Sequence, residues 1–112
     1  MALRRLLLAA ALATLGTTAQ AADERAPSAQ RIGRGRALAQ AHCAYCHAVG
    51  ETGDSPNRLA PPFRRLGRSV PVADAISALA EGAQPMHPAM PRFRLDLDQS
   101  RDLVAYVLSV QE

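Results

Sequence analysis

The two cysteines of this chain lie three positions apart and are followed at once by a histidine, as Cys43, Cys46 and His47. Four kinds of chemistry use such residues: a thiol redox pair, a structural disulfide, a zinc site, and covalent attachment of a haem. A redox pair is typical of a helix N-terminus within a βαβ unit, whereas these cysteines follow a predicted helix and no predicted strand precedes them. A structural zinc site needs four ligands, and the sequence has no second cluster to complete one.

The C-x-x-C-H spacing fits haem attachment better than these alternatives. A disulfide between Cys43 and Cys46 would close a loop of a few residues and stabilise little. Two thiols at this spacing can each form a thioether with one vinyl group of a porphyrin, and the next residue can offer an imidazole nitrogen to the iron. We therefore predict one covalently bound haem c, held by Cys43 and Cys46, with His47 as an iron ligand.

A haem iron bound by one histidine has an open side, and a methionine thioether is a natural sixth ligand in electron-carrying haem proteins. The candidates are Met86, Met90, His42 and His87. Met90 is the predicted ligand because Pro88 and Pro91 stiffen the chain on both sides of it, and Met86 is the alternative. Of the two histidines, the first is expected to point away from the open side, and the second is interpreted as a polar loop residue.

The first 21 residues have the three parts of a secretory signal peptide. Arg4 and Arg5 are followed by an apolar stretch from Leu6 to Leu15, and an A-x-A end follows at 19–21. This stretch is shorter than the roughly 20 residues that a membrane-spanning helix needs. We predict cleavage after Ala21, export to a bacterial periplasm, and no membrane span in the mature protein.

The composition is typical of one small domain with a small net charge. The 112 residues carry 13 basic side chains, all arginine, and 10 acidic ones, and loss of the two signal arginines would reduce the net charge from +3 to +1. A nucleic-acid role therefore gains no support. A chain of this size buries a modest share of its surface, so a large apolar cofactor would help to stabilise it. Residues 22–31 are predicted to be a flexible segment and residues 32–112 the domain.

The domain is predicted to be all-α, with three main helices and ligand-bearing loops. The first helix covers Ile32 to His42, and a short helix near Phe63 to Leu66 interrupts a loop over 48–69. The second helix follows Pro71. The third begins near Asp96, where a capping box with Gln99 is expected. The predicted apolar positions of the last two helices are Val72, Ile76 and Leu79, then Leu103, Tyr106 or Val107, and Val110.

The chain resembles a small class I cytochrome c over nearly all of residues 32–110. The matching pieces are GRALAQAHCAYCH at 35–47, APPF at 60–63, MP at 90–91 and DLVAYV at 102–107. The resemblance implies that Gly35 lies against Tyr106 of the last helix. It also implies that Met90, 16 residues before Tyr106, is the ligand, and that the Pro61 carbonyl, or else that of Pro62, accepts the ring N–H of His47.

The resemblance implies a one-electron carrier with His/Met ligation, and no enzymatic activity of its own. The expected partners are a dehydrogenase or cytochrome bc type donor and an oxidase or reductase acceptor, met in transient contacts by a monomer. The family's usual ring of lysines is absent. The arginines that could contribute to docking or pair with the haem propionates, and are otherwise interpreted as solvated surface charges, are Arg64, Arg65, Arg68, Arg92 and Arg94.

Three other functions remain open from the sequence. The protein could be the haem c subunit of one periplasmic oxidoreductase or respiratory complex, and a stable partner would then co-purify with it. It could be an enzyme or gas sensor with a five-coordinate iron, in which the methionine is absent or easily displaced. A haem-free thiol oxidoreductase is the last alternative, and it predicts a colourless protein.

Overall fold

The computed structural model describes residues 27–83, 85 and 87–112. Within these residues the chain forms α-helices and one 3₁₀ helix and contains no strand, so the predicted all-α class is confirmed. The helices are α1 (Ala29–His42), the 3₁₀ helix (Phe63–Arg68), α2 (Val72–Ala80) and α3 (Leu97–Ser109). The predicted signal peptide, 1–21, lies outside the described residues. None of the helices described is both long and apolar enough to cross a membrane.

Helix α1 begins at Ala29, three residues before the predicted start at Ile32. The Ser28 hydroxyl accepts a hydrogen bond from the Arg31 amide at 3.2 Å, which is the usual role of serine at a helix N-cap. The helix therefore includes residues 29–31, which the sequence analysis assigned to the flexible segment 22–31. Residues 22–26 of that segment lie outside the described part of the chain.

Helix α3 begins where the sequence predicts. The Gln99 amide donates to the Asp96 carboxylate at 2.8 Å, and the Asp96 amide donates to the Gln99 side-chain oxygen at 3.0 Å. This reciprocal pair is the predicted capping box, and it satisfies two of the backbone donors that a helix start leaves unpaired. Helix α2 follows Pro71 and is followed by Gly82, whose φ of +77° favours glycine.

Helices α1 and α3 pack closely against each other, and Gly35 makes this approach possible. A Cβ atom at this position would collide with the Asp102 carbonyl oxygen and lie 2.7 Å from the Tyr106 Cβ. The contact between Gly35 and Tyr106 that the resemblance implied is therefore present. Gly33, by contrast, is exposed, and a Cβ added there would meet nothing within 4 Å, so no packing reason accounts for this second glycine.

A buried carboxylate reinforces this helix pair. Asp102 accepts two hydrogen bonds from the Arg34 guanidinium, at 2.7 and 3.0 Å, and Arg31 approaches it at 3.6 Å. The hydrogen bonds from Arg34 hold the pKa of Asp102 below its usual value, although burial acts in the opposite direction. The pair joins residues 68 positions apart in the sequence.

The apolar core lies between α3 and the three other helices. It consists of Ala39, Phe63, Val72, Ile76, Leu103, Tyr106, Val107 and Val110. Every position predicted for the apolar face of α3 is buried, and Val107 is fully enclosed. Cys43 is half-buried and packs against this cluster, so the cysteine motif is attached directly to the core.

Candidate functional site

The cysteine motif continues from the end of α1 as a tight turn. The Cys43 amide donates to the Ala39 carbonyl at 2.9 Å, which makes Cys43 the C-cap of the helix. The amides of Cys46 and His47 then donate to the Cys43 carbonyl at 3.2 and 2.9 Å. Both thiols and the imidazole therefore project from a single turn whose orientation α1 determines.

The surroundings of the cysteines disfavour thiol chemistry. Both cysteines carry free thiols in the structure. Burial raises the pKa of the Cys43 thiol to about 11, whereas the best attacking thiol has a pKa near the ambient pH. The cysteines also follow the C-terminal end of α1, where the helix dipole does not favour a thiolate. In the part of the chain described here, no group of three or more His, Cys, Asp or Glu could hold a metal ion, so a zinc site gains no support.

The His47 ring is held by a backbone carbonyl and an aromatic ring. Its Nδ1 lies 2.7 Å from the Pro61 carbonyl oxygen, and because a carbonyl only accepts, Nδ1 must carry the proton. In the neutral imidazole the lone pair is then on Nε2. The Phe63 ring lies against the imidazole, with centroids 5.4 Å apart and planes tilted by 56°. Histidines that bind metals typically donate their other ring N–H to a carbonyl or carboxylate in this way.

The loop that carries Pro61 runs alongside the motif and is fastened to it repeatedly. The Asn57 amide donates to the Cys46 carbonyl at 3.1 Å, and the Phe63 amide donates to the Ala48 carbonyl at 2.9 Å. The Ala48 amide in turn donates to the Ser55 hydroxyl at 3.0 Å. Sequence analysis did not identify the bonds of Ser55 and Asn57 or the Phe63 ring contact, because these contacts depend on distances that only the folded loop defines.

Helix α3 supports the same loops from the other side. The Tyr106 hydroxyl donates to the Val49 carbonyl at 2.7 Å, two residues after His47, and burial raises the pKa of this phenol. This bond keeps a buried hydroxyl satisfied and attaches the end of the motif to the core. Tyr106 therefore contacts both the Gly35 backbone and the loop that follows the histidine.

The interpretation of Arg64 as a solvated surface charge is wrong. Its side chain is only 10% exposed and donates to Glu112 and to the Gly53 carbonyl, each at 2.8 Å. Arg65 and Arg68, which are half-exposed or more, also donate to Glu112, at 3.3 and 2.8 Å. Burial raises the pKa of Glu112, but the bonds from Arg65 and Arg64 outweigh it and hold that pKa below its usual value. A buried cation keeps its charge only when it is paired in this way.

The predicted methionine ligands lie on a separate segment, between α2 and α3. Met90 is half-buried, and its amide donates to the His87 carbonyl at 3.0 Å. Met86, the alternative, lies outside the described residues. His87 is exposed, and its Nδ1 accepts a hydrogen bond from the Ala89 amide at 3.2 Å, in keeping with a polar loop residue. The fold thus brings Cys43, Cys46, His47 and Pro61 together, and Met90 as the sixth ligand stays a prediction.

Comparison with known proteins decides the family. The family model for cytochrome c matches residues 32–111. The chain belongs to the cytochrome c family. The resemblance found in the sequence is therefore confirmed, and membership of the cytochrome c family implies a haem with its iron and a role in electron transfer. Neither the curated proteins nor the solved structures gave a match.

The residues of this cytochrome c domain fit a covalently attached haem. Two unpaired thiols project from one turn, which is the donor set that two thioether bonds require. The imidazole next to them has its Nδ1 committed to Pro61, which leaves Nε2 as the nitrogen able to bind iron. The candidate functional site is therefore the turn Cys43–His47 together with the loop that holds it.

Proposed function

We propose that this protein is a periplasmic electron carrier that binds one haem c through Cys43 and Cys46 with His47 and Met90 as axial ligands. The haem iron would supply the one-electron chemistry, cycling between Fe(III) and Fe(II). The observation that carries the proposal is the Pro61–His47 hydrogen bond, because it fixes one tautomer and one orientation of the ring beside two free thiols.

The chain's own residues would orient the ligands. Donation of the Nδ1 proton to Pro61 increases the basicity of the imidazole, and the Phe63 ring limits its rotation. The thioether of Met90 would favour the reduced form relative to a second histidine. Because both axial positions would be taken by protein ligands, the site would have no position for a substrate, so we propose electron transfer without enzymatic activity.

Two exposed apolar side chains, one within the motif and one in the loop beside it, would help transient docking. Tyr45, between the cysteines, is 91% exposed, and Leu59 is 72% exposed. The Asn57–Cys46 hydrogen bond brings their two loops side by side. Small contacts of this kind suit redox proteins that exchange electrons and separate, such as a dehydrogenase or cytochrome bc type donor and an oxidase or reductase acceptor. We propose that the protein acts as a monomer in this role.

The decisive experiment is a mass and a spectrum of the full-length precursor expressed in a bacterial host that attaches haem to exported proteins. We expect the periplasmic protein to have lost residues 1–21 and to exceed the remaining polypeptide mass by one haem. The double variant Cys43→Ser/Cys46→Ser is the control and should carry no covalent haem. A wild-type protein with the bare polypeptide mass would refute the haem, one that retains residues 1–21 would refute the cleavage, and absence of the protein from the periplasm would refute the export.

Two matched methionine variants test the sixth ligand. In the oxidised protein, methionine–iron bonding gives a weak near-infrared charge-transfer band. Met90→Ala is expected to abolish this band and to lower the reduction potential, while Met86→Ala should leave both unchanged. The opposite result would assign the ligand to Met86. Absence of the band in the wild type would exclude methionine as the sixth ligand and leave either a second histidine or a five-coordinate iron, of which the latter would open the question of enzymatic activity.

A further inference from the structure

We propose that Gln111 is a positioning residue for His47, because its side-chain amide holds the loop whose Pro61 carbonyl and Phe63 ring contact the imidazole. The inference rests on the proposed haem ligation by His47. It concerns a residue beyond the end of α3, 64 positions away from the histidine that it would affect.

The side-chain amide of Gln111 is hydrogen-bonded to the backbone of both the 3₁₀ helix and α3. Its Nε2 donates to the Phe63 carbonyl at 2.6 Å and to the Val107 carbonyl at 2.8 Å, and its Oε1 accepts from the Gly67 amide at 2.8 Å. Two carbonyl acceptors and one N–H donor fit only this orientation of the amide. One side chain therefore connects both ends of the 3₁₀ helix to the last turn of α3.

Phe63 transmits this attachment to the histidine. Its carbonyl is held by Gln111, its amide donates to the Ala48 carbonyl, and its ring lies against the His47 imidazole. Pro61, which accepts the His47 Nδ1 proton, is two residues away on the same loop. Because Phe63 is almost fully buried, a shift of its backbone would have to move the ring or the Pro61 carbonyl as well.

The neighbouring residue, Glu112, anchors the same helix through Arg64. The Glu112 amide donates to the Arg64 carbonyl at 3.0 Å, and its carboxylate accepts from the Arg64 side chain. Arg64 also holds the Gly53 carbonyl, so this second anchor acts on the outer part of the loop. Of these two residues, Gln111 is the one bonded to Phe63, whose ring contacts the histidine.

The expected consequence is a change in reduction potential. A short hydrogen bond from Nδ1 to a carbonyl makes the imidazole a stronger electron donor, which stabilises Fe(III) relative to Fe(II). When the Gln111 amide is lost, the loop is free to relax and the Nδ1–Pro61 bond lengthens. The reduced form is then favoured and the potential rises.

The test compares Gln111→Met with Gln99→Met in the haem-loaded, full-length protein. Methionine keeps the length of glutamine without its hydrogen bonds. Gln99→Met is a matched control because Gln99 is also half-buried and caps the opposite end of the same helix. We expect Gln111→Met to shift the reduction equilibrium two- to fourfold toward Fe(II), which is about 18–36 mV at the one-electron constant. We expect no shift for Gln99→Met, although both variants lose stability.

A second readout follows the hydrogen bond itself. In the reduced protein, NMR measures how fast the His47 Nδ1 proton exchanges with solvent. This exchange should be at least severalfold faster in Gln111→Met than in Gln99→Met. Gln111→Asn, which keeps the amide on a shorter side chain, should show an intermediate effect and decides the case if Gln111→Met does not fold.

The outcomes separate this inference from the proposed function. Equal potentials and equal proton exchange in the Gln111 and Gln99 variants, with haem and the methionine band intact, would overturn the positioning role alone. A wild-type protein without covalent haem would overturn the proposed function first.

Discussion

The two sides of the proposed haem site are built differently. The histidine side is fastened to α1 by the turn after Cys43, to α3 by Tyr106, and to the 55–63 loop by bonds from Asn57 and Phe63. The methionine-bearing segment is joined to α2 near its ends, where the amides of Ala83 and Leu95 donate to Ala78 and Ala80. The turn described around Met90 is local, with its amide bonded to His87.

The difference indicates that the two axial ligands would be held by different means. Hydrogen bonds from distant parts of the chain fix the histidine, so its position depends on the whole fold. Prolines on both sides of Met90 limit the conformations of its own loop. We therefore expect the His47 imidazole to be released only when the protein unfolds, and the Met90 thioether to be released more easily.

The largest effect is expected from breaking the frame of the histidine side. Gly35→Val would place a side chain in the Asp102 backbone and force α1 away from α3, so we expect a loss of about 3 kcal/mol in the free energy of unfolding. Denaturant titration measures it. Gly33→Ala is the matched control and should stabilise the same helix by about 0.5–1 kcal/mol, because its site is open. Similar effects of the two substitutions would contradict the close helix contact.

A denaturant titration of the wild type tests the comparison directly. If the methionine segment opens before the fold, the near-infrared band disappears at a lower denaturant concentration than the helical circular dichroism signal. We expect the local opening to cost about 2 kcal/mol less than global unfolding. Coincidence of the two transitions would show that the methionine segment opens only when the whole protein unfolds.

The pH dependence of stability probes the ion pair between Arg34 of α1 and the buried Asp102 of α3. Because Arg34 lowers the folded-state pKa of Asp102, this carboxylate stabilises the protein above about pH 4, its unfolded pKa, and the contribution is lost as the pH falls through the folded value. Asp102→Asn should lower the melting temperature by a few degrees at pH 7, and the difference should shrink below pH 4. Asp98→Asn, at an exposed position, is the control and should change little. A difference between wild type and Asp102→Asn that stays constant down to pH 2 would contradict the assignment.

The smallest effect is expected on the methionine side. Pro91→Ala should loosen the ligand loop by about 0.4–1 kcal/mol through added conformational freedom. Added imidazole, which competes for the iron, should then bind about two- to fivefold more tightly. Pro56→Ala, in the loop on the histidine side, should leave imidazole binding unchanged. Equal responses of the two proline variants would remove the distinction between the two sides.

Much of this molecule follows from local sequence patterns. The capping box of α3, its apolar face and the start of α2 are set by residues a few positions apart, and the structure contains all of them. The start of α1 was missed because the N-cap Ser28 lies in a polar stretch with little helical periodicity. The burial and pairing of Arg64 were not predicted, because its partners Glu112 and Gly53 are distant in the sequence.

The sequence by itself determined the family and the candidate haem-binding residues Cys43, Cys46 and His47. The spacing of two thiols and an imidazole within one turn is a local property, and so it can be read without a fold. The tertiary structure decided that the Pro61 carbonyl accepts the ring N–H of His47, that Phe63 lies against the ring, and that Gln111 holds the Phe63 carbonyl. These contacts join parts of the chain 14 to 48 residues apart, and only the packing of α3 against the loops brings them within hydrogen-bond distance.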